Sequence, residues 1–94
     1  MSDWLTEKRN DLDIIDTQIM QCLSDRFALI KEIGRFKKDN QISIMQPKRV
    51  NGILNKCTQM SKKYDLDSAF LQEIYQLIIK EACKIEEEIW KDGL

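Results

Sequence analysis

The chain has 94 residues, of which 43% are hydrophobic and 33% are charged, and its formal net charge is −1. This length suits a single domain spanning 1–94. The near-neutral charge argues against general nucleic-acid binding, and no apolar run approaches the roughly 18 residues of a membrane span. Because histidine is absent and the three cysteines are widely spaced, neither a metal site nor a disulfide framework is expected. We therefore expect a cytoplasmic protein that contacts neither nucleic acid nor membrane.

The first predicted element is a helix that begins near Trp4, with Ser2 or Asp3 as its cap, and runs to about Asp39. At 1.5 Å per residue it is about 50 Å long, whereas a compact chain of this size is only about 30 Å wide. Such a helix must bury an apolar stripe against a second chain, so the sequence predicts a homodimer. The stripe follows an alternating three-and-four spacing: Leu12, Ile15, Ile19, Cys22, Leu29, Ile33 and Phe36.

Two shorter helices follow the first. Pro47 suits the first turn of a second helix, which runs to about Lys63. After a turn at 64–67, Asp67 is the predicted cap of a third helix that reaches Trp90. Because no segment alternates like a strand, we predict an all-α fold with three helices. The predicted inner faces are Val50, Ile53, Leu54, Cys57 and Met60 on the second helix, and Leu71, Ile74, Ile78, Ala82, Ile85 and Ile89 on the third.

Arg26 occupies a position in the stripe of the first helix where a hydrophobic residue is expected. Lys37 lies eleven residues further on, about three turns, so it projects from nearly the same side. A cation turned toward a packed seam is costly unless a negative group meets it there. Either another part of the protein, of which Glu86 is one candidate, or a bound anion must supply that charge.

Two further arginines have open interpretations. Arg49 lies at the start of the second helix, where backbone N–H groups also favour an anion. Arg9 lies 17 residues before Arg26 and is rotated about 100° from it, so the two could share a ligand only across a dimer. A cationic pocket for a small dianion is one interpretation; pairing with some of the 16 acidic residues, or solvent exposure, is the other. Glu86 is similarly either a buried acid or part of a solvated acidic helix end.

The spacing of Arg9, Arg26, Lys37, Arg49 and Glu86 resembles that of the all-helical (type II) chorismate mutases, including the related isochorismate-pyruvate lyases. The resemblance covers roughly 6–90, including the Gln-Leu-Ile-Ile run at 76–79. It implies an intertwined homodimer with two equivalent pockets for a small-molecule dicarboxylate. Arg9 of the partner chain and Arg26 would hold the two carboxylates, and Lys37 would bind a carboxylate and the ether oxygen. The implied rearrangement of chorismate to prephenate needs no cofactor, nucleophile or metal.

Four positions depart from the family pattern. Glu86 stands where bacterial members commonly carry glutamine, and a glutamate can donate to the ether oxygen only when it is protonated. We therefore expect activity to rise as the pH falls. The family usually has a glutamate at Val50 that binds the C4 hydroxyl of the substrate. Some members have a serine at Ala82, and Gln46 replaces an aspartate.

These departures leave three alternatives to a chorismate mutase. The motifs Arg-Phe-Lys at 35–37 and Pro-Lys-Arg-Val at 47–50, with an aromatic near Trp90, resemble isochorismate-pyruvate lyase, which gives salicylate and pyruvate. A mutase for 4-amino-4-deoxychorismate is a second alternative, with Glu86 near the amine. A helical interaction module that senses a metabolite is the non-enzyme alternative.

Overall fold

A computed structural model describes residues 2–92, which form three helices: α1, Ser2–Asp39; α2, Pro47–Lys63; and α3, Ser68–Asp92. These residues contain no strand, which confirms the all-α prediction. The helix α1 begins earlier than predicted, so Asp3 lies within its first turn. None of the described helices is both long and apolar enough to cross a membrane.

The predicted starts of α2 and α3 are confirmed, and each has a local cause. Pro47 occupies the first turn of α2, where its missing N–H costs no hydrogen bond, and Gln46 before it is extended with φ −125° and ψ 97°. At α3, the Asp67 Oδ2 carboxylate oxygen accepts a hydrogen bond of 2.8 Å from the backbone N–H of Phe70. This bond satisfies one of the N–H groups left free at a helix start.

The connection between α1 and α2 is tied to the end of α1. The backbone N–H of Ile42 donates to the carbonyl of Lys37 at 2.8 Å, and Lys37 Nζ donates to the carbonyl of Ile44 at 2.9 Å. Gln41 makes the change of direction with a φ of 54°, in the left-handed region. The loop therefore has a fixed course that brings Gln46 toward α1.

The helix α3 packs against both α1 and α2, whereas α1 and α2 do not pack against each other within residues 2–92. The predicted inner faces of α2 and α3 are confirmed as buried or half-buried. Even so, Cys57 and Ala82 are the only buried hydrophobic residues in the part of the chain that is described. The arrangement leaves a gap between α1 and α2, with α3 as its floor.

The helix α1 differs from the sequence prediction in the face that it turns to α3. The predicted stripe is exposed, with Leu12 at 57% and Phe36 at 61%. The less exposed positions run one residue out of step with that stripe: Leu23, Phe27, Ile30 and Gly34. One residue is a rotation of about 100°, so α1 carries two faces, of which its own chain covers one.

Candidate active site

The gap between α1 and α2 contains a cavity of about 260 Å³. Its floor is the middle of α3, and the loop 40–46 closes one end through Ile44, Met45 and Gln46. All of the predicted site residues except Arg9 line it: Arg26, Lys37, Gln46, Arg49, Val50, Ala82 and Glu86. Residues that are up to 60 positions apart in the chain therefore meet in one place.

Helix periodicity explains how these side chains converge. Arg26 and Lys37 lie eleven residues apart on α1, which is close to three full turns. Ala82 and Glu86 lie one turn apart on α3 and face the same cavity. Arg49 projects from the first turn of α2, just after Pro47 fixes the direction of that helix. Each helix therefore presents a single face to the cavity.

Arg26 is half-buried, and it lacks a partner for part of its guanidinium group. Its Nη1 atom is buried and has no hydrogen-bond partner among the described residues. No described carboxylate forms an ion pair with it. A buried donor without an acceptor costs about 1–3 kcal/mol, and more when the group is charged. The guanidinium is therefore a group that gains from binding an anion.

Glu86 is buried, with 4% of its surface exposed, so it is not part of a solvated helix end. Its Oε1 atom lies 2.8 Å from Lys37 Nζ, so in the structure Glu86 pairs with Lys37 and not with Arg26. The contact is an ion pair only, because Oε1 has no well-oriented hydrogen bond within the described residues. The two charges offset each other, and Arg26 and Arg49 are left to make the cavity positive.

Cys83 also lines the cavity, and sequence reasoning did not identify it. Burial raises the pKa of its thiol, Glu86 raises that pKa further, and Lys37 opposes them. The thiol is therefore held in its neutral form, which makes it a poor nucleophile. Its place three residues before Glu86 on α3 is the signal that could have found it. The remaining wall is aliphatic, formed by Ile30, Ile33, Ile53 and Ile79.

Arg9 lies outside this cavity and is exposed. It precedes Arg26 by 17 residues on the same helix, a distance of about 26 Å. A side chain cannot cross that distance. Within one chain, the cavity is therefore lined by every predicted binding residue but this one.

The cavity combines two arginines, one neutralised lysine and aliphatic walls. Guanidinium groups bind carboxylates through paired hydrogen bonds, and aliphatic walls suit a carbon ring. A three-helix protein with such a cavity is suited to binding a small molecule that carries a carboxylate. Comparison with known proteins narrows this class: residues 8–87 match the family described as chorismate mutase type II. The chain belongs to the chorismate mutase type II family, an enzyme family.

Three relatives illustrate the range of activities among the proteins that are similar to this chain. The chain is similar to a 4-amino-4-deoxychorismate mutase of Streptomyces pristinaespiralis, with 30% identity over 93% of this chain and 67% of that protein. It is similar to a chorismate mutase of Methanocaldococcus jannaschii, with 28% identity over 85% of this chain and 81% of that protein. An isochorismate pyruvate lyase of Pseudomonas aeruginosa is 31% identical over 80% of this chain and 73% of that protein.

Proposed function

We propose that this protein is a homodimeric chorismate mutase, which rearranges chorismate to prephenate. The single observation that carries the proposal is the buried, unpartnered Arg26 Nη1 in a cavity that Arg49, Lys37 and Glu86 also line. A dicarboxylate would supply the acceptors that the described residues do not provide. The family to which the chain belongs supports the same reaction.

In this proposal the arginines bind and orient the substrate. Arg26 takes one carboxylate, and Arg9 of the partner chain takes the other. Arg49, on the opposite side of the cavity, adds positive charge that favours a dianion. The aliphatic side chains on α1, α2 and α3 exclude water and hold the ring in the compact conformer from which the bond can form. Such restriction of conformers can supply a large share of the barrier reduction.

Lys37 and Glu86 act on the ether oxygen of the breaking bond. Lys37 Nζ is held in place by the carbonyl of Ile44 at 2.9 Å and by Glu86 at 2.8 Å, so it needs little reorganisation. A fixed cation beside the oxygen stabilises the negative charge that develops there. Ionised Glu86 holds Lys37 in place but can only accept hydrogen bonds, so it donates none to the ether oxygen. Neutral Glu86 keeps its position beside Lys37 and donates a hydrogen bond of its own.

The homodimer is part of the proposal, and three observations support it. The chain has a surface of 7779 Å², whereas a compact monomer of its mass has about 5,700 Å². Its radius of gyration is 17.2 Å, against about 12 Å for a compact chain of this length. The stripe on α1 that includes Ile15, Ile19 and Leu29 is exposed. A second copy laid along this stripe would bring its Arg9 near the first cavity.

A second candidate substrate is 4-amino-4-deoxychorismate. Glu86 is the only acidic residue among those that line the cavity, and a carboxylate suits a substrate that carries an ammonium group. The relative from Streptomyces pristinaespiralis bears that name. Against it, Lys37 already neutralises Glu86 in the structure.

Isochorismate is a third candidate, favoured by two apolar side chains that line the cavity. Val50 and Ala82 line the cavity and offer no hydrogen-bonding side chain for a hydroxyl at C4. A substrate whose hydroxyl lies elsewhere on the ring loses less binding energy when no side chain can hydrogen-bond at C4. The relative from Pseudomonas aeruginosa, which is named an isochorismate pyruvate lyase, supports this candidate.

The direct test incubates the protein separately with chorismate, isochorismate and 4-amino-4-deoxychorismate, each with Arg26→Ala as the control. We expect chorismate to give prephenate with the highest kcat/KM of the three. Salicylate plus pyruvate from isochorismate would replace the proposal with the lyase. Faster rearrangement of 4-amino-4-deoxychorismate would replace it with a mutase for that amino substrate. If none of the three is converted, the proposed enzyme function is wrong.

The partner-derived Arg9 is tested by mixing two inactive variants, Arg9→Ala and Arg26→Ala, after joint unfolding and refolding. In a mixed dimer, one pocket keeps Arg26 of one chain and Arg9 of the other, while the second pocket lacks both. Random pairing then restores about a quarter of the wild-type activity. No recovery in the mixture, with mixed dimers shown to form, contradicts the placement of Arg9.

The expected cytoplasmic location also belongs to the proposal. Cys22, Cys57 and Cys83 are free thiols, which supports a reducing compartment. Fractionation of the source cells, followed by immunodetection of the protein, tests it.

A further inference from the structure

Gly34 lies near the C-terminal end of α1, five residues before Asp39, and is buried against α3. A Cβ atom at this position would lie 3.1 Å from Ile89 Cδ1, 3.2 Å from Glu86 Cγ and 3.5 Å from Glu86 Cα. The first two distances are shorter than ordinary van der Waals contact. Glycine within a helix costs about 1 kcal/mol relative to alanine, so this residue weakens α1 and in return permits a close approach of α3.

The two tight contacts have different consequences. Ile89 Cδ1 is the end of a flexible side chain and can rotate away. Glu86 Cγ lies between the backbone and the carboxylate, so any shift of Cγ swings the carboxylate as well. That carboxylate lies 2.8 Å from Lys37 Nζ, and Lys37 is one turn beyond Gly34 on the same face of α1. The lack of a side chain at Gly34 therefore fixes the position of Glu86 Cγ, and through it the geometry of the Glu86–Lys37 ion pair.

We propose that Gly34 is a positioning residue, whose lack of a side chain sets the Glu86 carboxylate against Lys37. The inference rests on the proposed function, in which Lys37 and Glu86 act on the ether oxygen. Gly34 touches no substrate. It acts through Glu86, and any larger residue displaces the carboxylate along the cavity.

The chain offers a matched control, because Gly52 is also a glycine inside a helix. A Cβ at Gly52 meets nothing within 4 Å. We expect Gly52→Ala to keep the wild-type kcat and to melt at an equal or higher temperature. We expect Gly34→Ala to fold, with unchanged helical circular dichroism, and to lose about tenfold in kcat with little change in KM. Equal kcat values for the two alanine variants would overturn the proposal.

A second substitution separates the two contacts. Ile89→Val removes the Cδ1 methyl group and leaves Glu86 untouched. In the Gly34→Ala background we expect it to raise the melting temperature without restoring kcat. Restoration of kcat would show that pressure on Ile89, and not on Glu86, is responsible, and the proposal would be wrong.

A third measurement needs no substrate, so it separates this inference from the proposed function. The coupling between Lys37 and Glu86 is measured by a double-mutant cycle of urea unfolding, with Lys37→Met and Glu86→Gln, at one fixed protein concentration. We expect the coupling in the Gly52→Ala background to equal that of the wild type, and in the Gly34→Ala background to fall by at least half. An unchanged coupling refutes the positioning role, whether or not the protein turns over chorismate.

Discussion

The two parts of α1 differ in how they contact the rest of the chain: the first is exposed and the second is packed. Before Arg26, almost every side chain is exposed, including Leu12, Ile15 and Met20. From Arg26 onward, the helix packs against α3 and lines the cavity through Arg26, Ile30, Ile33 and Lys37. One continuous helix thus contains a segment that its own chain supports and a segment that it does not.

The difference indicates what each segment is for. The supported segment fixes charged groups in the cavity, where in the proposed enzyme a displaced side chain would lower the activity. The unsupported segment has an exposed apolar stripe and carries Arg9 near its start. In the proposed dimer the unsupported segment of one chain completes the cavity of the other, so assembly and catalysis depend on each other.

The largest expected effect comes from a charge in the unsupported stripe. Ile15→Glu should weaken dimerisation roughly 10,000-fold, because two symmetry-related copies each bury a charge at a cost of about 3 kcal/mol. Turnover should disappear with it, since Arg9 would no longer reach a cavity. Sedimentation velocity over a range of protein concentrations measures the dissociation.

Ile14→Glu is the matched control, since Ile14 is also exposed, at 59% against 50% for Ile15, but lies about 100° away around the helix. It should leave the dimer and the activity nearly unchanged. Equal effects of the two substitutions would show that the exposed stripe is not the dimer contact.

The next effect concerns the supported segment. Arg26→Ala should reduce kcat/KM roughly 1,000-fold while the helices and the dimer persist, because it removes a buried carboxylate-binding group. Arg35→Ala, an exposed arginine on the same helix, serves as the control and should be near wild type. Steady-state kinetics with circular dichroism and sedimentation measures both. A loss of less than tenfold for Arg26→Ala would contradict the role given to this residue.

The sequence predicted those features that depend on local chemistry and helix period. Pro47 and Asp67 mark helix starts by their own backbone chemistry, and both were placed correctly. The convergence of Arg26 and Lys37 follows from eleven residues being three turns, and the structure lines one cavity with both. The family resemblance was confirmed by the match over residues 8–87.

The features that the sequence did not predict depend on how the helices approach one another. The face of α1 that meets α3 is one residue out of step with the predicted stripe, because two apolar faces overlap on that helix. Glu86 pairs with Lys37, and not with Arg26, because of where α3 lies along and against α1. The contact of Lys37 with the carbonyl of Ile44 depends on the course of a loop. No residue pattern fixes these distances.

A third prediction concerns pH within the supported segment. If only neutral Glu86 donates to the ether oxygen, kcat/KM of the wild type should rise as the pH falls. Glu86→Gln should remove this dependence and hold the activity at neutral pH, because the amide donates at every pH. A series of pH-rate profiles measures it, with Glu87→Gln, an exposed neighbour, as the control. A flat wild-type profile, or a pH-dependent Glu86→Gln variant, would count against the proposed hydrogen bond.

The smallest effect lies outside both parts of α1, at the start of α3. Asp67→Ala should lower the free energy of unfolding by about 1 kcal/mol, because the N–H of Phe70 loses its carboxylate acceptor. Asp67→Asn should retain most of that stability, since an amide oxygen accepts the same bond. The activity of both should match the wild type, because this cap is not among the residues that line the cavity. Urea unfolding and kinetics on the same samples separate the two properties. If Asp67→Ala lost activity in proportion to stability, the packing of α3 as a whole, and not its local contacts with α1, would control the geometry of Glu86.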